Sequence, residues 1–399
     1  MQITIVGAGP AGLVAAIAAR QAGFDCTVYE QAPSFARVGG AIGIQGNGLA
    51  VLDAIGVLDR WRPHVEILKR VAVEAPPGRV ISVADFRELA LPYTGFGVAL
   101  RYDLQETLLA AARGAGATIL FNKRCVRAER LDRHILLSLA DGGATTSEIV
   151  LACDGIHSAV RESFGIASRK HVVSEAYLRL VAPIRHPDPD RIGEVWAIDG
   201  RRAGSFPLPR DRTYVFCSVP LGRWQYILAH SLDEWVASWR DCGAPIATLM
   251  ESITDWRGAV YDELTDLRAE RWHQSGLFLL GDAAHAMTPN LGQGANSAMV
   301  DALVLINLLA QYGGNVTVVG AKYEQIRRPF VTRIQRTALA GGRMASWTSP
   351  VARYLRDAFL RVGSRIGPVR RSSMLLTAGF NPREQSWLRT PRARVTALV

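Results

Sequence analysis

This sequence predicts an α/β protein with an antiparallel sheet inserted into it, and three observations carry the prediction. The chain opens on a strand, glycine turn, helix and strand; residues 171–262 drop that rhythm for short β-rich runs divided by turns; residues 277–310 return to strand, glycine loop and helix. Two distant stretches built on the same pattern make one discontinuous domain, and the material between them makes a second.

In the opening unit, residues 3–6 are apolar and β-branched, residues 13–22 are strong helix formers, and residues 26–29 form a second strand ending at Glu30. Between them, Gly7-Ala8-Gly9-Pro10-Ala11-Gly12 fits the dinucleotide fingerprint. The first glycine allows a tight turn, the second lets backbone approach a pyrophosphate, and the third packs helix on strand. Glu30 stands about 20 residues beyond the turn, where a carboxylate holds ribose hydroxyls. Gly7, Gly9, Ala11, Gly12 and Glu30 are therefore candidate ligands of a Rossmann-like site. The motif alone does not separate FAD from NAD(P).

Residues 31–48 are glycine-rich and contain Arg37, and a helix follows over 49–58. Residues 71–81 read as strands around the turn Pro76-Pro77-Gly78, a hairpin assigned to the second domain. Arg101 precedes a helix over 104–112, where its guanidinium can bond a phosphate bidentately or simply pair with Asp103. Residues 118–126, 135–139 and 148–152 read as strands, the last running into Asp154-Gly155. Asp154 either meets a ligand or caps the helix starting near Ser158. His157 reads as a hydrogen-bonding element of that turn.

Within 171–262, strands are expected over 177–184, 194–198, 203–207 and 213–219, with helices over 232–240 and 244–251. Tyr177, Leu180, Trp196, Phe206, Tyr214 and Phe216 are placed to wall an apolar pocket. Residues 264–271 read as a helix leading back to the strand 277–280. Gly281 and Asp282 end that strand, Pro289, Gly292 and Gly294 mark a loop, and a helix runs from Ala295 to about residue 310. Bare N–H groups and the positive end of a helix dipole converge there, a place for negative charge or carbonyl oxygens.

The predicted domains are residues 1–70, 90–170 and 264–345; then 71–89 and 171–263; then a C-terminal tail, 346–399. A helix over 322–341 precedes the tail. From residue 341 onward there are eleven arginines against Asp357 and Glu384, a net of +9 in a chain of +10, so the body is nearly neutral. That placement does not indicate a nucleic-acid groove. Residues 351, 354, 355, 358, 359 and 362 share one helical face, with Arg353, Arg356 and Arg361 off it; such a helix docks on the body or lies weakly at an anionic membrane surface.

Four motifs, in order, resemble the group A flavin monooxygenases, the para-hydroxybenzoate hydroxylase-like family. They are the glycine fingerprint at 7–12, Arg101 in Leu100-Arg101-Tyr102-Asp103, the acid–glycine turn Asp154-Gly155, and Gly281-Asp282 with its glycine loop. Stretches near 177–183, 193–209 and 282–295 are most similar to 2-alkyl-4-quinolone 3-hydroxylases. The resemblance implies a Rossmann-like FAD-binding domain carrying an inserted antiparallel-sheet substrate domain, with FAD as cofactor and NADH or NADPH as co-substrate. It implies dioxygen activation as a C4a-hydroperoxyflavin and hydroxylation of a small, electron-rich aromatic ring. It further implies cofactor contacts from Arg37, Arg101, Val126, Asp154 and Asp282, and from the backbone of Gly292, Gln293, Gly294 and Ala295. Pro289 would wall the reactive face. His285 and Tyr177 are candidates for a base, although a 4-quinolone is already activated at C3 and needs none.

A reductase or dehydrogenase on the same fold, and a phenol or aromatic-acid hydroxylase using Arg179 or Arg185, stand as alternatives. No metal-ligand spacing, GxSxG elbow or paired CxxC occurs. The five cysteines are odd in number and scattered, which points to reduced thiols in a cytoplasm; a monomer or dimer is expected. The first strand begins at once, which leaves no room for a signal peptide.

Overall fold

The computed structural model describes residues 1–36, 40–188 and 193–391. Among the described residues the strands form four sheets. The central one is built from β1 (Gln2–Val6), β2 (Asp25–Tyr29), β8 (Thr118–Leu120), β12 (Ile149–Ala152), β18 (His273–Gln274) and β19 (Leu277–Leu279), in the order β18-β19-β12-β1-β2-β8. β1 runs parallel to β2 and β12, and β12 parallel to β19. β1, β12 and β19 are buried on both faces, as the middle of a covered parallel sheet requires, and β2 nearer the edge alternates. Their register sets the fingerprint turn after β1, the acid–glycine turn after β12 and the Gly281 turn after β19 side by side.

Helices α1 (Pro10–Gln21) and α10 (Gly294–Gln311) pack against this sheet and each other. α10 is long and apolar enough by composition to cross a bilayer, yet it is buried along most of its length and forms the core. The glycines of the first turn are sterically dictated. Gly7 has φ +98°, and a Cβ on Gly12 would lie 1.9 Å from the Gly7 carbonyl oxygen.

Residues 118–126, expected as one strand, are two. The chain turns at Asn122, which adopts φ +57°, a left-handed conformation that asparagine tolerates. β8 stays in the central sheet, while β9 (Cys125–Leu131) leaves to pair with β10 (His134–Leu139) and, through it, β11 (Ala144–Ser147). A further small sheet joins β3 (Ala41–Gln45), β7 (Phe96–Leu100) and β4 (Glu66–Leu68).

The large antiparallel sheet holds β5 (Arg70–Ala75), β6 (Arg79–Asp85), β13 (Ser168–Ala182), β14 (Gly193–Trp196), β15 (Arg202–Leu208), β16 (Arg212–Pro220) and β17 (Val260–Ala269), in the order β17-β13-β16-β15-β14-β5-β6. The hairpin β5–β6 is thus continuous with the inserted sheet, through a parallel pairing of β5 with β14. The helix expected over 264–271 does not form. Residues 264–269 belong to β17, which pairs with β13 on both sides of a bulge, and that pairing overrides the helical propensity of Leu264, Leu267, Arg268 and Ala269; the domain boundary expected at 263/264 therefore falls inside a strand.

Side-chain alternation gives this sheet two distinct faces. Ala176, Leu178, Leu180, Ala203, Val215 and Cys217 point to helices α6 (Trp224–Ala229), α7 (Leu232–Ala237) and α8 (Ala244–Glu251), where Trp235 and Trp239 close a separate core. Tyr177, Phe206, Tyr214 and Phe216 point the other way. Leu180, expected among the pocket aromatics, therefore belongs to the helical side; its even position puts it out of phase with Tyr177. The helix expected over 232–240 ends at Ala237, and a single 3₁₀ turn, Arg240–Cys242, follows.

The remaining helices are α2 (Gly46–Ala54), α3 (Leu58–Trp61), α4 (Arg101–Gly114), α5 (Ala159–Ser163), α9 (Asp282–His285), α11 (Val316–Ala345), α12 (Pro350–Arg365) and α13 (Gly367–Thr377). α12 lies on the body with its polar side inward. Arg356 and Asp357 are buried; Arg356 donates to the carbonyls of Met344 and Ala345, both at 3.1 Å, and covers the Trp196 ring at 5.0 Å. Arg79 pairs with Asp357 at 2.6 Å. The apolar face that the periodicity defines points to solvent.

Candidate active site

Two cavities meet at Pro289. The first, of about 560 Å³, is lined by Gly9, Pro10, Ala11, Arg101, Cys153, Gly155, Gly281, Asp282, Gly292, Gly294 and Ala295, among others. The second, of about 370 Å³, lies between the aromatic face of the large sheet, the Pro289 loop and helices α11 to α13. Ala41, Ile42, Gly43, Arg179, Pro289 and Gly292 line both.

The first cavity is a cradle of bare backbone. A Cβ on Gly9 would meet no protein atom within 4 Å, so the space beside it is open. Glu30 accepts hydrogen bonds from Ala8 N at 2.7 Å and Ala32 N at 2.8 Å, which fixes its carboxylate beside the fingerprint turn. Arg101 begins α4 and lies exposed on the cavity wall; among the described residues it makes no ion pair, with Asp103 or otherwise. Ser158 is the N-cap of α5, and Asp154 adds a second bond, accepting from Val160 N at 3.2 Å. Its other carboxylate oxygen is buried without a partner, next to Cys153 and Gly155 on the wall. Open glycine backbone, an unpaired arginine and an orphaned acceptor fit a dinucleotide.

Gln293 itself is fully buried and faces away from the cavity. Its side chain bonds Gln45, Asn47 and the Thr377 carbonyl, and the residue lines neither cavity; its neighbours Gly292, Gly294 and Ala295 do the lining. Val126, on β9, is 41% exposed and does not line the cavity. Arg37 lies outside the described residues.

Beneath the Gly281 turn is a buried ionic network that sequence reasoning missed. Asp301 accepts from Gly281 N at 3.0 Å, from His285 Nε2 at 2.6 Å and from Arg327 Nε at 2.7 Å, and Arg327 also pairs with Glu384. Burial alone would raise the Asp301 carboxyl; His285 and Arg327 outweigh it and hold it below the usual range. His285 is buried against Trp272 and lines neither cavity, so it braces the turn that presents Asp282. Arg161 adds a further brace, donating to the Ala283 carbonyl at 3.0 Å and the Ile156 carbonyl at 3.1 Å.

In the second cavity, Tyr177 stacks on Phe216 at 4.6 Å, with Phe206 and Tyr214 beside them. Gly204 makes room for this layer, since a Cβ there would lie 2.1 Å from the Phe216 ring. Burial raises the Tyr177 phenol, which stays protonated and donates to Asn290 Oδ1 at 3.0 Å. That disposes it to position rather than to abstract a proton. Arg202, also unanticipated, donates to the same oxygen at 2.8 Å and to Glu194 Oε2 at 2.7 Å. Arg179 pairs with Asp262 at 2.6 Å, while Arg185 is exposed and off the cavity wall. Both cavity arginines thus carry a carboxylate partner. The signal for Arg202 was present in its spacing: it shares strand phase with Phe206, as Glu194 does with Trp196.

A glycine cradle for a dinucleotide, opening at one proline onto an aromatic-walled chamber, is the layout of an oxidoreductase that acts on a small aromatic compound. The model of the FAD binding domain family matches residues 1–338. The 2-heptyl-3-hydroxy-4(1H)-quinolone synthase of Pseudomonas aeruginosa (strain UCBPP-PA14) is 30% identical over 369 residues, 91% of this chain and 94% of that one. The 3-amino-4-hydroxybenzoate 2-monooxygenase of Streptomyces cremeus is 28% identical over 358 residues, covering 85% and 86%. Among solved structures, Klebsiella pneumoniae HpxO complexed with FAD and uric acid superposes with a TM-score of 0.81 at 25% identity, covering 94% and 97%. The chain belongs to the FAD-binding family and is a flavin-dependent aromatic monooxygenase.

Proposed function

We propose that this enzyme hydroxylates a neutral, electron-rich heteroaromatic ring, a 2-alkyl-4-quinolone at C3, using NADH or NADPH. The observation that carries this reading is the pairing of both cavity arginines, Arg202 by Glu194 and Arg179 by Asp262. A chamber with its cations already neutralised and its walls aromatic favours an uncharged ring over a carboxylate. The identity to a quinolone hydroxylase supports the same choice.

When bound, FAD supplies electron transfer from NAD(P)H and the activation of dioxygen. One oxygen atom enters the ring and the other leaves as water, with two electrons from the nicotinamide. The chain's part is placement. Gly9, Ala11 and Arg101 hold the pyrophosphate, Glu30 the ribose, and Asp282 the ribityl hydroxyls. The backbone at Gly292, Gln293, Gly294 and Ala295, leading into α10, would stabilise negative charge on the ring of the bound flavin. Pro289 walls the chamber, and Tyr177 and Asn290 orient the substrate. Residues 1–69, 90–167 and 270–345 form the cofactor domain, and residues 70–89 and 168–269, which take in β13 and β17 whole, the substrate domain. The five free cysteines suit a cytoplasmic enzyme.

The test is NADH and NADPH oxidation by the purified protein with and without 2-heptyl-4-quinolone, followed by product mass. Substrate-stimulated oxidation with a gain of one oxygen atom is expected. Oxidation that yields only peroxide removes the quinolone and directs the search to aromatic acids such as 3-amino-4-hydroxybenzoate.

A further inference from the structure

The outer side of α12 and the turn into α13 carry a ridge that nothing in the chain covers among the described residues. Val351, Tyr354, Leu355, Phe359 and Val362 are each more than half exposed, and Ile366 and Val369 are each 47% exposed. One exposed leucine is ordinary; a continuous run of large apolar side chains on one helix is a docking surface. The helix is held from behind by its polar side, through Arg356 and Asp357, so the ridge is presented to solvent by design of the packing rather than by fraying.

The charge around the ridge selects its partner. Arg361 and Arg365 border it and Arg371 is exposed nearby, while Arg370 is held by Glu88 at 2.8 Å. On α12 and α13 the single acidic residue is Asp357, buried and already paired. A second copy of this chain, meeting the ridge about a two-fold axis, would set arginine against arginine with no acid from either helix. An anionic lipid surface satisfies both the apolar face and the arginine border. Tyr354 and Trp347, both exposed, are the residue types that settle at a headgroup boundary.

The geometry points to α12 as a helix that seats the enzyme on an anionic bilayer surface, apolar ridge inward and arginines against the headgroups. The inner side of the same helical tail, through Leu360 of α12 and Ser373 and Thr377 of α13, walls the aromatic chamber. Resting on the function proposed above, this places the chamber just behind the membrane face, where an alkyl-bearing ring partitions.

The test uses the FAD-loaded full chain and no substrate, so that it is independent of the quinolone assignment. Flotation with mixed phosphatidylcholine–phosphatidylglycerol vesicles is compared with flotation on pure phosphatidylcholine. Binding to the anionic vesicles is expected to be at least about tenfold stronger and to weaken with added salt. Leu355→Asp/Phe359→Asp is expected to lower it by a further tenfold or more while FAD content and the unfolding temperature hold. Should that variant lose FAD, Arg361→Glu/Arg365→Glu asks the same question through charge alone. Absence of flotation, or flotation indifferent to both variants, overturns the proposal. So does a dimer in sedimentation that Leu355→Asp/Phe359→Asp dissociates without any vesicle binding, which would make the ridge a subunit interface.

Discussion

Arg202 and Asn290 stand 88 positions apart in the chain and 2.8 Å apart in the fold, the guanidinium of the first donating to the side-chain oxygen of the second. Asn290 also donates to Thr288 Oγ1 and to the Ala338 carbonyl, both at 3.0 Å. One asparagine thus ties the large sheet and α11 to the loop that carries Pro289.

Arg202→Met should lower kcat/KM at least about tenfold by loosening that loop, and should destabilise the protein by about 1–3 kcal/mol, because half-buried Glu194 loses its cation and keeps only the bond from Trp196 Nε1 at 2.9 Å. Arg202→Met/Glu194→Gln should recover most of the stability and little of the activity. Thermal unfolding beside steady-state kinetics reads both. Recovery of activity by the double variant would show that the ion pair, not the loop contact, matters.

Tyr177→Phe removes a donor to Asn290 but no titrating group in the working range, since burial keeps the phenol protonated. A few-fold loss in kcat/KM is expected, with the pH–rate profile between about pH 6 and 9 unchanged in shape. Disappearance of a limb from that profile would instead make Tyr177 a base.

Two glycines separate cofactor binding from folding. Gly9→Val places its side chain in open space beside the cavity, so the apoprotein should fold with its unfolding temperature intact and bind FAD at least about tenfold more weakly. Gly12→Val drives a side chain into the Gly7 carbonyl and should fail to fold. Equal FAD affinity in Gly9→Val would remove the pyrophosphate from that turn.

Glu324 reports on acid stability. Burial works against its ionisation, but bonds from His273 at 3.1 Å, Trp272 N at 2.5 Å and Arg328 at 2.9 Å hold it at about 2 instead of 4.5. A depressed carboxyl stabilises the fold above its unfolded value and loses that contribution as pH falls through its folded one. The advantage of wild type over Glu324→Gln in denaturant midpoint should therefore shrink between pH 4.5 and 2, by about 2–3 kcal/mol in all. A gap independent of pH would assign the residue a neutral hydrogen-bonding role.

Much of this molecule can be read from its sequence, and the boundary is physical. The glycine turns at Gly7 and Gly281 are legible because each takes a positive φ, +98° and +57°, that glycine adopts without a steric cost. Alternation within a strand is local, and it already assigns Arg202 to the face of Phe206 and removes Leu180 from it. The fate of residues 260–269 is not local. Leu264 and Arg268 favour a helix in isolation, and only β13 makes them a strand. The network of Asp301, Arg327 and Glu384 likewise joins three segments whose residue types announce nothing singly. For α12, periodicity defines the apolar face and leaves open which way that face turns.

The parallel pairing of β1, β12 and β19 also sets a timetable. Residues 3–6 find one neighbour at 149–152, which in turn awaits 277–279. With translation running at about 5–20 residues per second, the nascent first strand waits on the order of 15–60 s for the sheet to be completed. The pairing of Glu384 with Arg327, and of the Thr377 carbonyl with Gln293, follows later still. The flavin's seat is consequently completed late: its lining runs from Gly9 to Ala298, and a chain that stops before residue 277 offers half of it.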